Sequence, residues 1–91
     1  MPLKKKIYLI ERINRNKVTL ICAARNLKAG YSLSKLHGYL ADPDISYKTL
    51  VRRLDKVDSI IIYDRNRFET EDEAKYSLVG DVVRITRTIL I

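Results

Sequence analysis

Residues Tyr31 to Leu78 constrain this chain most, because the spacing of their apolar residues changes twice, in a fixed order. Leu33, Leu36 and Leu40 recur three and four residues apart, which places them on one face of a short helix. Ser32 or Ser34 can cap its start, a hydroxyl there accepting an otherwise orphaned backbone N–H. Ala41-Asp42-Pro43-Asp44 then bends the chain, since proline and aspartate each favour a turn. Ser46 is the better cap for a second helix, Tyr47 to about Val57, with Leu50, Leu54 and Val57 as its core stripe. Ile60, Ile61, Ile62 and Tyr63 are β-branched or aromatic and read as a strand. Asp64-Arg65-Asn66-Arg67 reads as a turn, Glu69–Glu73 as an acidic solvated loop, and Lys75–Val79 as a returning strand.

The flanks are more ambiguous. Leu3, Ile7, Ile10 and Ile13 are spaced for a helical face, although Ile7 and Leu9 against Tyr8 and Ile10 also fit a strand. Asn14-Arg15-Asn16 interrupts the pattern. Val18–Ala29 reads as a helix ended by Gly30 as a C-cap. Its first two turns have almost no polar face, so such a helix is covered on more than one side. In the last segment, Val82, Ile85 and Ile89 suit a helix, whereas Val83, Ile85, Ile89 and Ile91 suit a strand. These ends are too apolar for an isolated domain of this size. The expectation is that segments 1–16 and 80–91 pair two copies of the chain into a homodimer, through Ile7, Ile10, Ile13, Ile85, Ile89 and Leu90.

Ninety-one residues make one domain with a small core. No apolar run approaches the roughly 18 residues that span a bilayer, and Glu11 and Arg12 interrupt the N-terminal one, which makes it a poor signal peptide. With Cys22 as the single cysteine, no intramolecular disulfide or cysteine metal pair exists, and the expected location is the cytoplasm. The net charge of +7 is carried by residues 1–28, while residues 59–91 are slightly acidic. A basic chain of this size usually has an anionic partner, and nucleic acid is the commonest.

Little in the chain points to catalysis. His37 is the only histidine, and without a second histidine or cysteine it forms no zinc site. Cys22 lies among apolar residues, which suits a small hydrophobe better than a nucleophile. Gly30, Gly38 and Gly80 are isolated and build no phosphate-cradling loop. Glu69, Glu71, Asp72 and Glu73 lack the alternation and glycine of a calcium loop. The expectation is no enzyme, no catalytic or metal residues, no cofactor, no membrane and no evident small-molecule effector.

The basic side of the second helix is the strongest functional signal. At about 100° per residue, Lys48, Arg52 and Lys56 lie opposite the leucine stripe. A helix fits the DNA major groove, where base edges are distinguishable, and its N-terminal end favours phosphates. Ser46, Tyr47, Lys48 and Thr49 occupy that end, with Arg52 one turn on.

In these residues the chain resembles a known group. ISYKTLVRRLDKVDSIIIY is similar to the recognition helix and first wing strand of winged-helix regulators, of which the MarR- and PadR-like families are nearest. KYSLVGDVV resembles their returning strand and final-helix start, commonly Tyr-x-Leu-Thr-x-x-Gly. The size and the richness in isoleucine and tyrosine also resemble small winged-helix proteins of thermophilic archaea, their plasmids and viruses. The resemblance covers roughly residues 17–90. Val79 departs from the usual threonine, Asp58-Ser59 stands where a glycine is common, and Glu69–Glu73 is acidic for a wing. It implies an α+β winged helix-turn-helix domain over residues 1–91, with a two-stranded wing and a helical last element. It further implies a homodimeric, sequence-specific binder of double-stranded DNA that regulates transcription, with wing contacts from Arg65 and Arg67. The alternatives are a winged-helix protein-interaction module and a non-specific architectural or replication-associated DNA binder.

Overall fold

A computed structural model describes residues 5–78 and 81–90 of the chain. It is a mixed α+β fold, with a four-stranded antiparallel sheet and three helices among the described residues. The elements are β1 (Lys5–Asn14), β2 (Lys17–Ala24), α1 (Leu27–Leu36), α2 (Tyr47–Leu54), β3 (Ser59–Ile62), α3 (Glu71–Tyr76) and β4 (Val82–Leu90), with the sheet in the order β2-β1-β4-β3.

The N-terminal segment is a strand, not a helix. As a central strand β1 is apolar toward both faces, so its isoleucines three apart imitate a helical stripe. Ile10 and Ile13 belong to separate clusters on opposite faces of the sheet. The expected helix over Val18–Ala29 is likewise replaced, by β2 and the start of α1. Val18, Thr19 and Ile21 are β-branched and fit a pleated strand better than a helix. Asn14 pairs with Lys17, so Arg15 and Asn16 form the two-residue turn of a β1–β2 hairpin. Arg15 takes a left-handed φ of 54°, the backbone such turns require. Its N–H donates to the Lys75 carbonyl at 2.8 Å.

Asn26 caps α1, its side chain accepting from the N–H groups of Lys28 at 2.8 Å and Ala29 at 3.3 Å. Ser32 and Ser34 therefore lie inside the helix rather than at its start. The buried stripe is Leu27, Gly30, Tyr31 and Ser34, while Leu33 and Leu36 are 50% and 79% exposed and Leu40 is buried beyond the helix. Gly30 is not a C-cap but a contact point. A Cβ there would lie 3.2 Å from Ile10 Cδ1 and 3.3 Å from Ala24 Cβ, so its absence lets α1 sit close on the sheet.

The segment Leu40–Ile45 returns the chain into the core, with Asp42 making an Asx-type turn onto the Asp44 N–H at 3.0 Å. Ser46 caps α2 as its position suggests, accepting from the Thr49 N–H at 3.2 Å. α2 ends at Leu54 rather than near Val57, which is exposed instead of completing the core stripe. Leu50 and Leu54 pack with Ile10, Ile60, Ile62 and Ile85 between the helices and one sheet face.

The expected wing differs most. Residues 71–76 form α3, capped by the Thr70 hydroxyl, which accepts from the Glu73 N–H at 3.1 Å. The acidic stretch is thus mostly helix, and Lys75–Ser77 cannot be a returning strand; Val79 and Gly80 lie outside the described residues. β3 pairs instead with β4. The last segment is therefore strand, not helix, as its β-branched residues favour. α3 covers the other sheet face at one end, where Ala74 packs with Ile13 and Val82.

Ile10, Ile13 and Ile85 are correspondingly buried within the single chain, so their side chains cannot serve as a dimer surface. Of that expected set, Ile7 is half-buried and Ile89 is 49% exposed; the Leu90 side chain, like Leu3 and Ile91, lies outside the described residues. Among the described residues no helix is long and apolar enough to cross a membrane.

Candidate nucleic-acid interface

α2 is short, and three features hold it in place. Leu50 and Leu54 anchor its inner face, Ser46 caps its start, and Arg53 ties its last turn to the sheet. Arg53 Nη2 donates to the Ile61 carbonyl at 2.7 Å. Partial burial, and then the nearby Arg65, hold its guanidinium below its ordinary pKa, although arginine remains charged at neutral pH. The sequence reading missed Arg53. Its signal is position: it lies three residues after Leu50, at the edge of the buried stripe.

The other residues expected at this helix divide into two groups. Lys48 and Arg52 are exposed on α2, four residues apart and so on the same flank. Lys56 is also exposed but lies past the helix end. Ser46, Tyr47 and Thr49 are engaged in the fold. The Ser46 hydroxyl caps α2 and lies 2.9 Å from the Thr49 hydroxyl. The Tyr47 ring packs 5.8 Å from that of Tyr31, whose own hydroxyl donates to the Ile45 carbonyl at 2.8 Å.

Arg65 is brought to α2, where with Thr49 and Arg53 it lines a shallow cleft of about 320 Å³. Asp42 and Asp44 line the same cleft, so its arginines face carboxylates, whereas Lys48 and Arg52 stand outside it, with Asp55 exposed at the end of their flank. Arg65 sits over the Tyr63 ring, 5.5 Å from its centroid, and Arg67 sits similarly over Phe68 at 5.6 Å. Both guanidinium groups are thus partly positioned by an aromatic face. Arg67 does not line the α2 cleft.

A second open cleft, of about 330 Å³, lies along the other flank of α2. It gathers Arg25, Arg87, Tyr8, Tyr47 and Val51. Arg87 is anchored by Asp58, at 3.2 Å, and by the Val57 carbonyl, at 3.4 Å. No spacing pattern could have found this group, because its members come from β1, β4, α2 and the β2–α1 junction.

The acidic residues Glu71, Asp72 and Glu73 lie on α3, across the sheet from α2. His37 is exposed and stacks on Tyr39, 5.6 Å between ring centroids. Cys22 is half-buried on β2. Among the described residues no three histidine, cysteine, aspartate or glutamate side chains converge as a metal set. Compared with known proteins, the chain matches no family model, no curated protein and no solved structure.

Proposed function

We propose that this chain binds duplex DNA, with α2 entering the major groove in the manner of a winged helix, and that it acts as a transcriptional regulator. The observation that carries the reading is the presentation of α2: Leu50 and Leu54 fix it to the sheet while Lys48 and Arg52 face solvent on one flank. The order α1, turn, α2, β3, β4 supports it, as does the pairing of β3 with β4 and of β4 with β1. The acidic helix lies across the sheet, which removes the objection that a wing loaded with carboxylates would approach phosphates. Two features depart from the usual motif. The connection over residues 37–46 exceeds the three or four residues of a tight helix-turn-helix turn, and α3 stands where a hairpin tip would be.

A protein-interaction role is the second reading, favoured by the exposed Leu33 and Leu36 on α1. One experiment separates the two. Duplexes selected from a random pool, and scrambled controls, are titrated against the full chain at several salt concentrations. DNA binding predicts a log–log slope of about −0.9 per phosphate neutralised. Arg52→Ala should cost roughly 1–3 kcal/mol of discrimination if it reads a base edge. Arg67→Ala should weaken all sequences alike, as a phosphate contact does. The absence of duplex binding at low salt overturns the reading in favour of protein interaction, and equal affinity for every duplex reduces it to an architectural binder.

A further inference from the structure

The two flanks of α2 are unlike. At about 100° per residue, Lys48 and Arg52 point away from the buried Leu50 and Leu54. Thr49 and Arg53 fall to one side, in the cleft that Asp42 and Asp44 also line. Tyr47 and Val51 fall to the other, in the open cleft with Arg25 and Arg87. No aspartate or glutamate lines this second cleft among the described residues. Two carboxylates approach it from outside: Asp58 pairs with Arg87 at 3.2 Å, and Asp55 caps the end of α2, one turn after Val51. The sheet brings the arginines together. Tyr8 on β1 has Arg87 on β4 and Ala24 on β2 as its ladder partners, and directly opposed residues share a face. Arg25 follows Ala24, just before the Asn26 cap of α1. Lys6, two residues before Tyr8, is exposed on the same face.

We propose that this cleft binds a phosphodiester of the DNA strand bordering the groove that α2 enters, through Arg25 and Arg87. The proposal rests on the reading of α2 as the docking helix and adds its orientation. The Tyr47–Val51 side of the helix, not the Asp42–Asp44 side, takes the closer backbone. Two guanidinium groups suit a phosphate because each presents a planar fork of donors. The Asp58 contact and the Val57 carbonyl hold the Arg87 fork in advance, so less side-chain freedom is lost when a ligand arrives. An open cleft also suits a chain passing through it better than an enclosed small molecule.

Anisotropy titrations of the full chain against selected and scrambled duplexes, over a range of salt, test it. Arg25 is exposed, so its variants should keep the wild-type circular dichroism. Arg25→Gln should weaken both duplexes alike and make the log–log salt slope shallower by about 0.9, one phosphate. Arg25→Lys should restore the slope. Arg15→Gln removes the same charge at the far end of the β1–β2 hairpin, about 24 Å from Tyr8 at 3.4 Å per residue. It should change neither quantity, because that distance exceeds the screening length of about 10 Å at 0.1 M salt. Duplexes carrying one neutral methylphosphonate at a time locate the contact: one position should weaken the wild type and cause no further loss in Arg25→Gln. An unchanged slope in Arg25→Gln, beside a shallower one in Lys48→Gln, overturns this proposal and leaves the reading of α2 intact. Wild-type protein that binds no duplex removes both. A loss confined to one sequence, an equal loss in Arg15→Gln, or a scan in which no position couples to Arg25 also overturns it.

Discussion

Ser34 is 1% exposed, and its hydroxyl has no partner among the described residues. It sits on the inward stripe of α1, four residues after Gly30, which brings the helix down on Ile10 and Ala24. Close approach and a stranded hydroxyl are linked, since a helix pressed on apolar strands leaves a serine there without a donor or acceptor. Tyr31, on the same stripe, escapes this by reaching the Ile45 carbonyl and by accepting from Lys35 Nζ at 3.1 Å. Burying an unsatisfied polar group costs about 1–3 kcal/mol, and alanine is also the better helix former. Ser34→Ala is therefore expected to stabilise the fold by about 1 kcal/mol, read as a higher urea midpoint with an unchanged slope. A lower midpoint would mean that the hydroxyl is satisfied in solution. Sequence spacing alone offered Ser34 as a cap, because a serine looks alike at a helix start and in a helix interior until the start is known. Asn26 was the real start, and its signal was the same one that identified Ser46.

Elements were legible where a capped stripe or an unbroken β-branched run marks them, and obscure where apolar spacing alone had to choose between helix and strand. α2 and β3 could be read directly, one from a capped leucine stripe and the other from three consecutive isoleucines. β1 could not, since a central strand needs apolar residues on both faces and so shows no clean period of two. β2 was hidden by its turn: Arg15-Asn16 lacks the glycine that marks most two-residue hairpins. α3 was missed although its signature was present, Thr70 followed three residues later by Glu73. The hydroxyl caps the helix, and the Glu73 carboxylate accepts from the Glu69 N–H at 3.2 Å. At α2 the exposed Lys48 and Arg52 were legible from spacing. The engagement of Tyr47 and Thr49 was not, because it depends on Tyr31 and on the cap. The cap matters here, since isolated helices shorter than about 12 residues are marginal in water. Ser46→Ala should cost about 1 kcal/mol, measured by urea unfolding. No measurable cost would show that Leu50, Leu54 and the Arg53 tie hold α2 without it.

At the scale of the whole molecule, the sheet separates two kinds of surface. On one side are α1 and α2 with Lys48 and Arg52; on the other is α3 with Glu71, Asp72 and Glu73. Two packing layers of about 10 Å each lie between the helices, which exceeds the screening length of about 10 Å at 0.1 M salt. The net charge of +7 sums both sides of the sheet, so it predicts affinity poorly if the α2 side alone docks. Two pairs of substitutions change the net charge equally in opposite directions. Lys48→Gln with Arg52→Gln lowers it by two. Glu71→Gln with Asp72→Asn raises it by two and spares Glu73, whose carboxylate holds the Glu69 N–H. If α2 makes the contacts, the first pair should weaken duplex binding and flatten the salt slope by about 1.8, the equivalent of two phosphates. The second pair should leave both nearly unchanged at 0.1 M salt. Attraction by net charge alone makes the opposite forecast, a gain from the acidic pair as large as the loss from the basic one. Parallel titrations of the two variants decide between them, and symmetrical effects would remove α2 as the docking element.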